Sequence, residues 1–195
     1  MNLNSLFAPQ KKLDDRIVKE KGLEGQDLFK KKVVALLCEL YECANEMRMF
    51  KFWSNDQKSR GRALTCDNCG TRMQKGNTRY VEGGGHCNET GDMFYQNPLL
   101  EEYVDVIHFT LSIANDLGYT SHAYLQTQPR DLNDLVIGIT NAITVLAVNP
   151  NKNLMQSIFN NVIALGYQLG FDEEQVIAAY HDKNAINHHR QDNNY

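Results

Sequence analysis

Two pairs of acidic residues stand out in this chain because each has the spacing of neighbours on a helix. The first pair is Glu39 and Glu42, and the second is Glu102 and Asp105. Residues three apart lie on one face of a helix, so each pair can direct two carboxylates toward one point. If the two helices face each other, four carboxylates converge, and such hard oxygen ligands suit Mg²⁺ or Mn²⁺.

A single acidic pair at this spacing is more often part of a solvated helix surface. Here the surroundings favour burial, because Glu39 lies within the apolar segment 33–41, which Glu42 directly follows, and the second pair lies within 98–111. Buried acidic residues rarely lack a partner. Glu46 continues the first row as either a further ligand or a surface residue, whereas Glu101 lies off the face of the second pair and is predicted to be solvated.

Length and composition predict one folded domain covering 1–195. The chain has 195 residues, 42% of them hydrophobic, and a formal net charge of −4. This mild acidity argues against general binding of nucleic acid, which needs a basic face. No segment approaches the ~20 apolar residues of a membrane span.

The N-terminus has no basic segment followed by an apolar run, so it does not read as a secretory signal. The five cysteines are an odd number, which favours reduced thiols and a cytoplasmic protein.

The apolar spacing predicts an all-α bundle of about six helices. The predicted ranges are 11–21, 27–53, 97–118, 132–148, 154–169 and 172–189. Asn97 before Pro98 reads as a helix cap, and Asp172 with Gln175 reads as a capping box. The fourth range is rich in Val, Ile and Thr, so a strand is the alternative, but its length favours a buried helix.

Three segments, taken in order, resemble the dimeric all-α dUTPases. Residues 39–54 are similar to the signature helix of that family, 100–109 to its second metal helix, and 179–195 to its C-terminal phosphate-binding segment. Residues 6–14 also fit. The wider group is the all-α nucleoside triphosphate pyrophosphatases, which includes the MazG-type enzymes.

The resemblance implies a homodimer that binds Mg²⁺, with Mn²⁺ as a substitute, through Glu39, Glu42, Glu102 and Asp105. It also implies hydrolysis of the nucleotide dUTP to dUMP and pyrophosphate, often with dUDP accepted too. The chemistry agrees, because phosphoryl transfer depends on neutralising charge and on positioning. We favour Glu42 as the group that orients the attacking water.

Phosphate-binding residues are expected near the C-terminus. Lys183, Asn187 and Arg190 are spaced for one helix face, and an arginine can donate two hydrogen bonds to a phosphate. The resemblance adds Lys51. The alternative is a solvated basic helix end, where cations also favour the helix dipole.

Family position suggests a set of residues for binding base and sugar. The candidates are Gln10, Asn45, Trp53, His108 and Asn184. A side-chain amide offers both a donor and an acceptor to the edge of uracil. Trp53 would cover a base, or else pack in the core.

A polar, glycine-rich insertion at about 56–97 interrupts the bundle. Cys66, Cys69, His86 and Cys87 would complete a tetrahedral zinc site. The adjacency of His86 and Cys87 is unusual for such a site, so a loop with free thiols and a Cys66–Cys69 disulfide stay open. The basic residues of the insertion would instead meet a regulatory protein or an anionic partner.

Other functions remain open from the sequence. A related all-α pyrophosphatase would act on another deoxynucleotide, such as dCTP. The neighbouring pair His181–Asp182 suggests an HD-type phosphohydrolase, but that reading leaves the four acids unexplained. A non-enzymatic helical dimer that binds a regulator is a further alternative. In the homodimer implied by the resemblance, the apolar segment 136–148 would lie in the interface, or equally in the core of one subunit.

Overall fold

A computed structural model describes residues 1–61, 97–123 and 128–193, together with the backbone of three strands within 63–96. The helices are α1 (Phe7–Glu20), α2 (Phe29–Met47), α3 (Pro98–Asp116), α4 (Leu132–Val148), α5 (Lys152–Gln168) and α6 (Glu173–Asp192). The prediction of an all-α bundle with about six helices is confirmed.

Local capping explains why the starts of several helices follow the sequence closely. The side chain of Asn97 accepts a hydrogen bond from the backbone N–H of Leu100, and Pro98 opens α3. Asp131 caps α4, and Asp172 forms the expected capping box with Gln175 on α6. These caps satisfy backbone N–H groups that have no partner inside the helix.

Two helix boundaries differ from the prediction by four residues or more. Helix α1 begins at Phe7, after a 3-10 turn at Asn4–Leu6, rather than at residue 11. Helix α2 ends at Met47 rather than at residue 53, because Arg48 is left-handed with φ 63°. The side chain of Arg48 is buried, and its Nε donates to the backbone oxygen of Asp56 at 2.8 Å.

Helix α3 lies at the centre of the bundle and carries the second acidic pair. It packs against α1, α2, α5 and α6. Tyr103, between the two acids, is fully buried, and its hydroxyl donates to the backbone oxygen of Val162 at 3.0 Å. This contact fixes the segment of α3 from which the acidic side chains project.

The insertion adds a small sheet that the sequence did not predict. Its strands are β1 (Ala63–Cys66), β2 (Arg72–Gln74) and β3 (Met93–Gln96). They pair antiparallel in the order β2-β1-β3. The side chain of Cys66 and the whole of Cys69, His86 and Cys87 lie outside the described residues, so the zinc site stays a prediction.

None of the helices within 1–61, 97–123 and 128–193 combines the length and the apolar character of a membrane span.

We predict that Gly166→Ala destabilises the protein by about 1–3 kcal/mol, because overpacking a filled core forces its neighbours to move. A Cβ at Gly166 would lie 2.5 Å from Cζ of Tyr103 and 3.0 Å from Cε of Met1. Thermal unfolding measures the change.

The control is Asn153→Ala, at an exposed position of the same helix as Gly166. Alanine favours helix, so this variant should be slightly more stable than the wild type. Equal effects of the two substitutions would contradict the close packing of α3 on α5.

Candidate active site

Helices α2 and α3 bring three of the four predicted carboxylates together. One oxygen each from Glu39, Glu102 and Asp105 lies within 4.8 Å of the others, and all three residues are partly buried. Oxygens bonded to one Mg²⁺ at about 2.1 Å lie at most about 4.2 Å apart. Small side-chain rotations would therefore let these oxygens share a divalent cation, so the residues present fit a hard metal ion.

Glu42 lies one turn along α2 and outside this close group. Its side chain is exposed, yet its charge raises the pKa values of both Glu39 and Glu102. Glu42 therefore faces the same space as the three carboxylates while remaining open to solvent.

The carboxylates perturb one another strongly. Burial, followed by the charge of Asp105, raises the pKa values of Glu39 and Glu102 to about 7. Burial also raises the pKa of Asp105, although Lys183 opposes this shift. Desolvation and like charges disfavour ionised carboxylates, and a nearby cation relieves both effects.

Lys183 of α6 supplies one such cation. Its Nζ donates to Oδ2 of Asp105 at 2.6 Å and lies 3.6 Å from Oε1 of Glu101. Burial acts to lower the pKa of Lys183, but the hydrogen bond and charge of Asp105 outweigh it and raise the pKa. The sequence predicted that Glu101 is solvated, whereas in the structure it forms an ion pair with Lys183.

A second, uncharged cluster joins α1, α3 and α6. Oε1 of Gln10 accepts hydrogen bonds from Nδ1 of His108 at 2.7 Å and from the hydroxyl of Tyr180 at 2.9 Å, while its Nε2 donates to Asp14. The Tyr180 hydroxyl also accepts from Asn184. Burial lowers the pKa of His108 to about 3, so the ring is neutral. Because the oxygen of Gln10 can only accept a hydrogen bond, Nδ1 carries the proton.

This cluster contains three of the five residues predicted to bind the base, namely Gln10, His108 and Asn184. Tyr180 was not among the residues predicted to bind the base, yet it stacks on His108 with ring centroids 4.2 Å apart. Its position four residues before Asn184 on α6 was the signal available, since that spacing puts both on one face.

The two remaining base candidates lie around the end of α2. Asn45 accepts a hydrogen bond from Nζ of Lys51 at 2.6 Å. Trp53 is 67% exposed and contacts Phe50 and Phe52 edge-on. The alternative prediction, that Trp53 packs in the core of the subunit, is therefore wrong.

The other phosphate candidates lie along α6. Arg190 is exposed and donates to Oδ1 of Asn187 at 3.2 Å. Its positive charge lowers the pKa of Asp105, so this end of α6 acts electrostatically on the carboxylates.

Glu46, left open by the sequence, lies outside the group of three carboxylates. It is buried, and its Oε1 lies 3.5 Å from Nη1 of Arg60 at the start of the insertion. In the described structure it therefore links the end of α2 to the insertion.

Comparison with known families now defines the class of protein. A family model described as dUTPase matches residues 2–65 and 90–195. The chain therefore belongs to the dUTPase family and is an enzyme of the dUTP diphosphatase type. The match resumes after residues 66–89, which lie inside the predicted insertion. The comparison with curated proteins finds no match.

We predict that the pH dependence of stability of the metal-free protein is set partly by Glu39 and Glu102. Their pKa values are about 7 in the folded protein, against 4.5 as the ordinary value. The stability that they contribute is fully present below pH 4.5 and is lost as pH rises through 7. The variant Glu39→Gln/Glu102→Gln should gain stability over the wild type as pH rises from 5 to 8.5, by about 3 °C in Tm.

The control is Glu174→Gln on the exposed start of α6. Thermal unfolding in EDTA should show a nearly constant difference from the wild type for this variant. A double variant whose difference from the wild type does not change with pH would contradict the raised pKa values.

Proposed function

We propose that this protein is a Mg²⁺-dependent dUTP diphosphatase that cleaves dUTP to dUMP and pyrophosphate. The observation that carries the proposal is that one oxygen each from Glu39, Glu102 and Asp105 lies within 4.8 Å of the others, while the charge of Glu42 acts on two of these residues. In a chain of the dUTPase family, this is the arrangement that a triphosphate needs, because it binds together with divalent cations.

The four carboxylates would hold the cation, and Mn²⁺ would substitute for Mg²⁺. When bound, the cation supplies positive charge that neutralises and polarises the phosphates. Glu42 would orient the attacking water and take its proton, since it is the most exposed of these four carboxylates. Water adds to the α-phosphorus, and the bond from this phosphorus to the bridging oxygen breaks, so that the oxygen leaves with pyrophosphate.

Cationic and amide side chains would hold the rest of the nucleotide. Lys183 and Arg190 project from α6, beside the carboxylates, and suit phosphate oxygens. Asn187 and Lys51 would assist them. The cluster of Gln10, His108 and Asn184 offers neutral donors and acceptors for a base, while Asn45 and Trp53 lie on an exposed segment that would cover it.

The direct test is release of pyrophosphate from dUTP. We expect activity with Mg²⁺, none with EDTA, and a loss of about 10²–10⁴-fold in kcat for Glu42→Gln, the usual contribution of general acid–base catalysis. Parallel assays with dUDP, dCTP and the other common deoxynucleoside triphosphates identify the substrate.

The control variant is Glu24→Gln, an exposed acid outside the helices, which should retain wild-type kcat. Full activity of Glu42→Gln would contradict the role given to Glu42. Faster hydrolysis of dCTP than of dUTP would assign the enzyme to another base.

We also propose a homodimer through the outer faces of α2 and α4. One side of α4 is buried through residues including Ile139 and Ile143, yet Ile137, Val145 and Val148 are 57%, 46% and 83% exposed in the single chain. These three, with Asn141 and Thr144 between them, follow the spacing of one helix face.

Helix α2 extends this apolar surface. Val34 and Tyr41 are 59% and 50% exposed, and the hydroxyl of Tyr41 donates to Oγ1 of Thr140 at 3.4 Å. A continuous apolar surface over two helices is typical of a permanent subunit interface.

We predict that Ile137→Asp converts the dimer into monomers, because a charge cannot be buried in an apolar interface without a partner. Light scattering at micromolar concentration measures the change in mass. Ile186→Asp, at a 49% exposed position on α6, is the control and should remain dimeric. A wild-type monomer would refute the proposed interface.

A further inference from the structure

Lys183 occupies an unusual position for a residue expected to bind phosphate. Its Nζ points into the carboxylate cluster and lies 2.6 Å from Oδ2 of Asp105. Both side chains are only 15% exposed. The lysine is therefore paired with an acid that is also one of the candidate metal ligands.

We propose that Lys183 is an internal cation that neutralises the carboxylates of the metal-free enzyme. A divalent ion must displace Lys183 from these carboxylates before the lysine can bind phosphate. This inference rests on the proposed function, because it assumes that the carboxylates bind a metal. It makes Lys183 a positioning residue that couples metal binding to nucleotide binding.

Competition follows from the geometry of the cluster. The ammonium of Lys183 and a divalent ion would both need the carboxylate of Asp105, and two cations so close together repel each other. In the metal-free state, the lysine offsets part of the repulsion among Glu39, Glu102 and Asp105. A metal ion offsets that repulsion more fully, so the pairing of Lys183 with Asp105 no longer stabilises the site.

Glu101 gives the displaced lysine a second position. Its Oε1 is already 3.6 Å from Nζ of Lys183, and its side chain is 37% exposed. A small rotation of the lysine would exchange Asp105 for Glu101 and turn Nζ toward the open side of the site. A triphosphate arriving with the metal would then reach Lys183 from solvent and compete with the partly exposed Glu101 for its ammonium group.

Coupling of this kind is reciprocal. Metal binding should increase affinity for the nucleotide by freeing Lys183, and the nucleotide should increase affinity for the metal by holding Lys183 away from Asp105. Removing the amine should raise the affinity of the nucleotide-free site for metal while weakening this coupling. A residue with only a structural role would not produce that combination.

The first experiment measures Mn²⁺ binding by titration calorimetry without nucleotide, at pH 8.5. We expect Lys183→Met to bind Mn²⁺ about fivefold more tightly or better, at the lower end of typical couplings between sites. Lys183→Arg keeps the charge and should bind close to wild type. Unchanged affinity in a folded Lys183→Met variant would overturn the inference.

Lys32→Met is the matched control. Lys32 is also 15% exposed and lies 2.7 Å from Asp116, a residue outside the carboxylate cluster. This variant loses a comparable ion pair, so its affinity for Mn²⁺ should stay at the wild-type value. A similar gain in affinity for Lys32→Met would show a general effect of net charge and would contradict a specific role of Lys183.

A second experiment uses the wild-type protein and so does not depend on a variant that folds. Acetic anhydride labels exposed amines, and mass spectrometry reports the extent at Lys183. Mn²⁺ alone should increase labelling several-fold, and a nonhydrolysable dUTP analogue added with Mn²⁺ should reduce it again. If the extent of labelling at Lys183 does not change when Mn²⁺ binds, the inference is overturned. If the wild-type protein binds no Mn²⁺, the proposed metal site itself is refuted.

Discussion

Repulsion among carboxylates at the junction of α2 and α3 is the constraint on which the site depends. Glu39, Glu102 and Asp105 are held together by two helices that each bury another face in the core, so the acids cannot simply separate. The repulsion has to be balanced by protons or by cations. Lys183 provides part of this balance, which ties the position of α6 to the charge state of the other two helices.

The charged cluster and the neutral cluster share the same supports. His108 follows Asp105 by one helical turn on α3, and Tyr180 precedes Lys183 by three residues on α6. One end of this helix pair therefore presents charge, and the adjacent part presents neutral donors and acceptors. Such a division suits a ligand with an anionic end and a neutral polar end, as a nucleotide has.

Much of the helical framework was accessible from the sequence because helix starts are local events. Asn97, Asp131 and Asp172 bond to backbone N–H groups two or three residues away, so their effect needs no distant partner. The end of α2 was missed because Arg48 is held in a left-handed conformation by contact with Asp56 in the following loop. Apolar spacing continues through this segment and gives no sign of the break.

The sequence alone determined the two acidic pairs, their helical spacing and the family motifs, because each of these lies within a short stretch of chain. Only the tertiary structure decided that Lys183 reaches Asp105, 78 residues away, and that Tyr180 and His108 both bond to the side-chain oxygen of Gln10. It also decided that Trp53 is exposed and that Glu46 pairs with Arg60. Contacts of this kind depend on how whole helices pack, and residue spacing within one helix carries no information about the partner that another helix will bring.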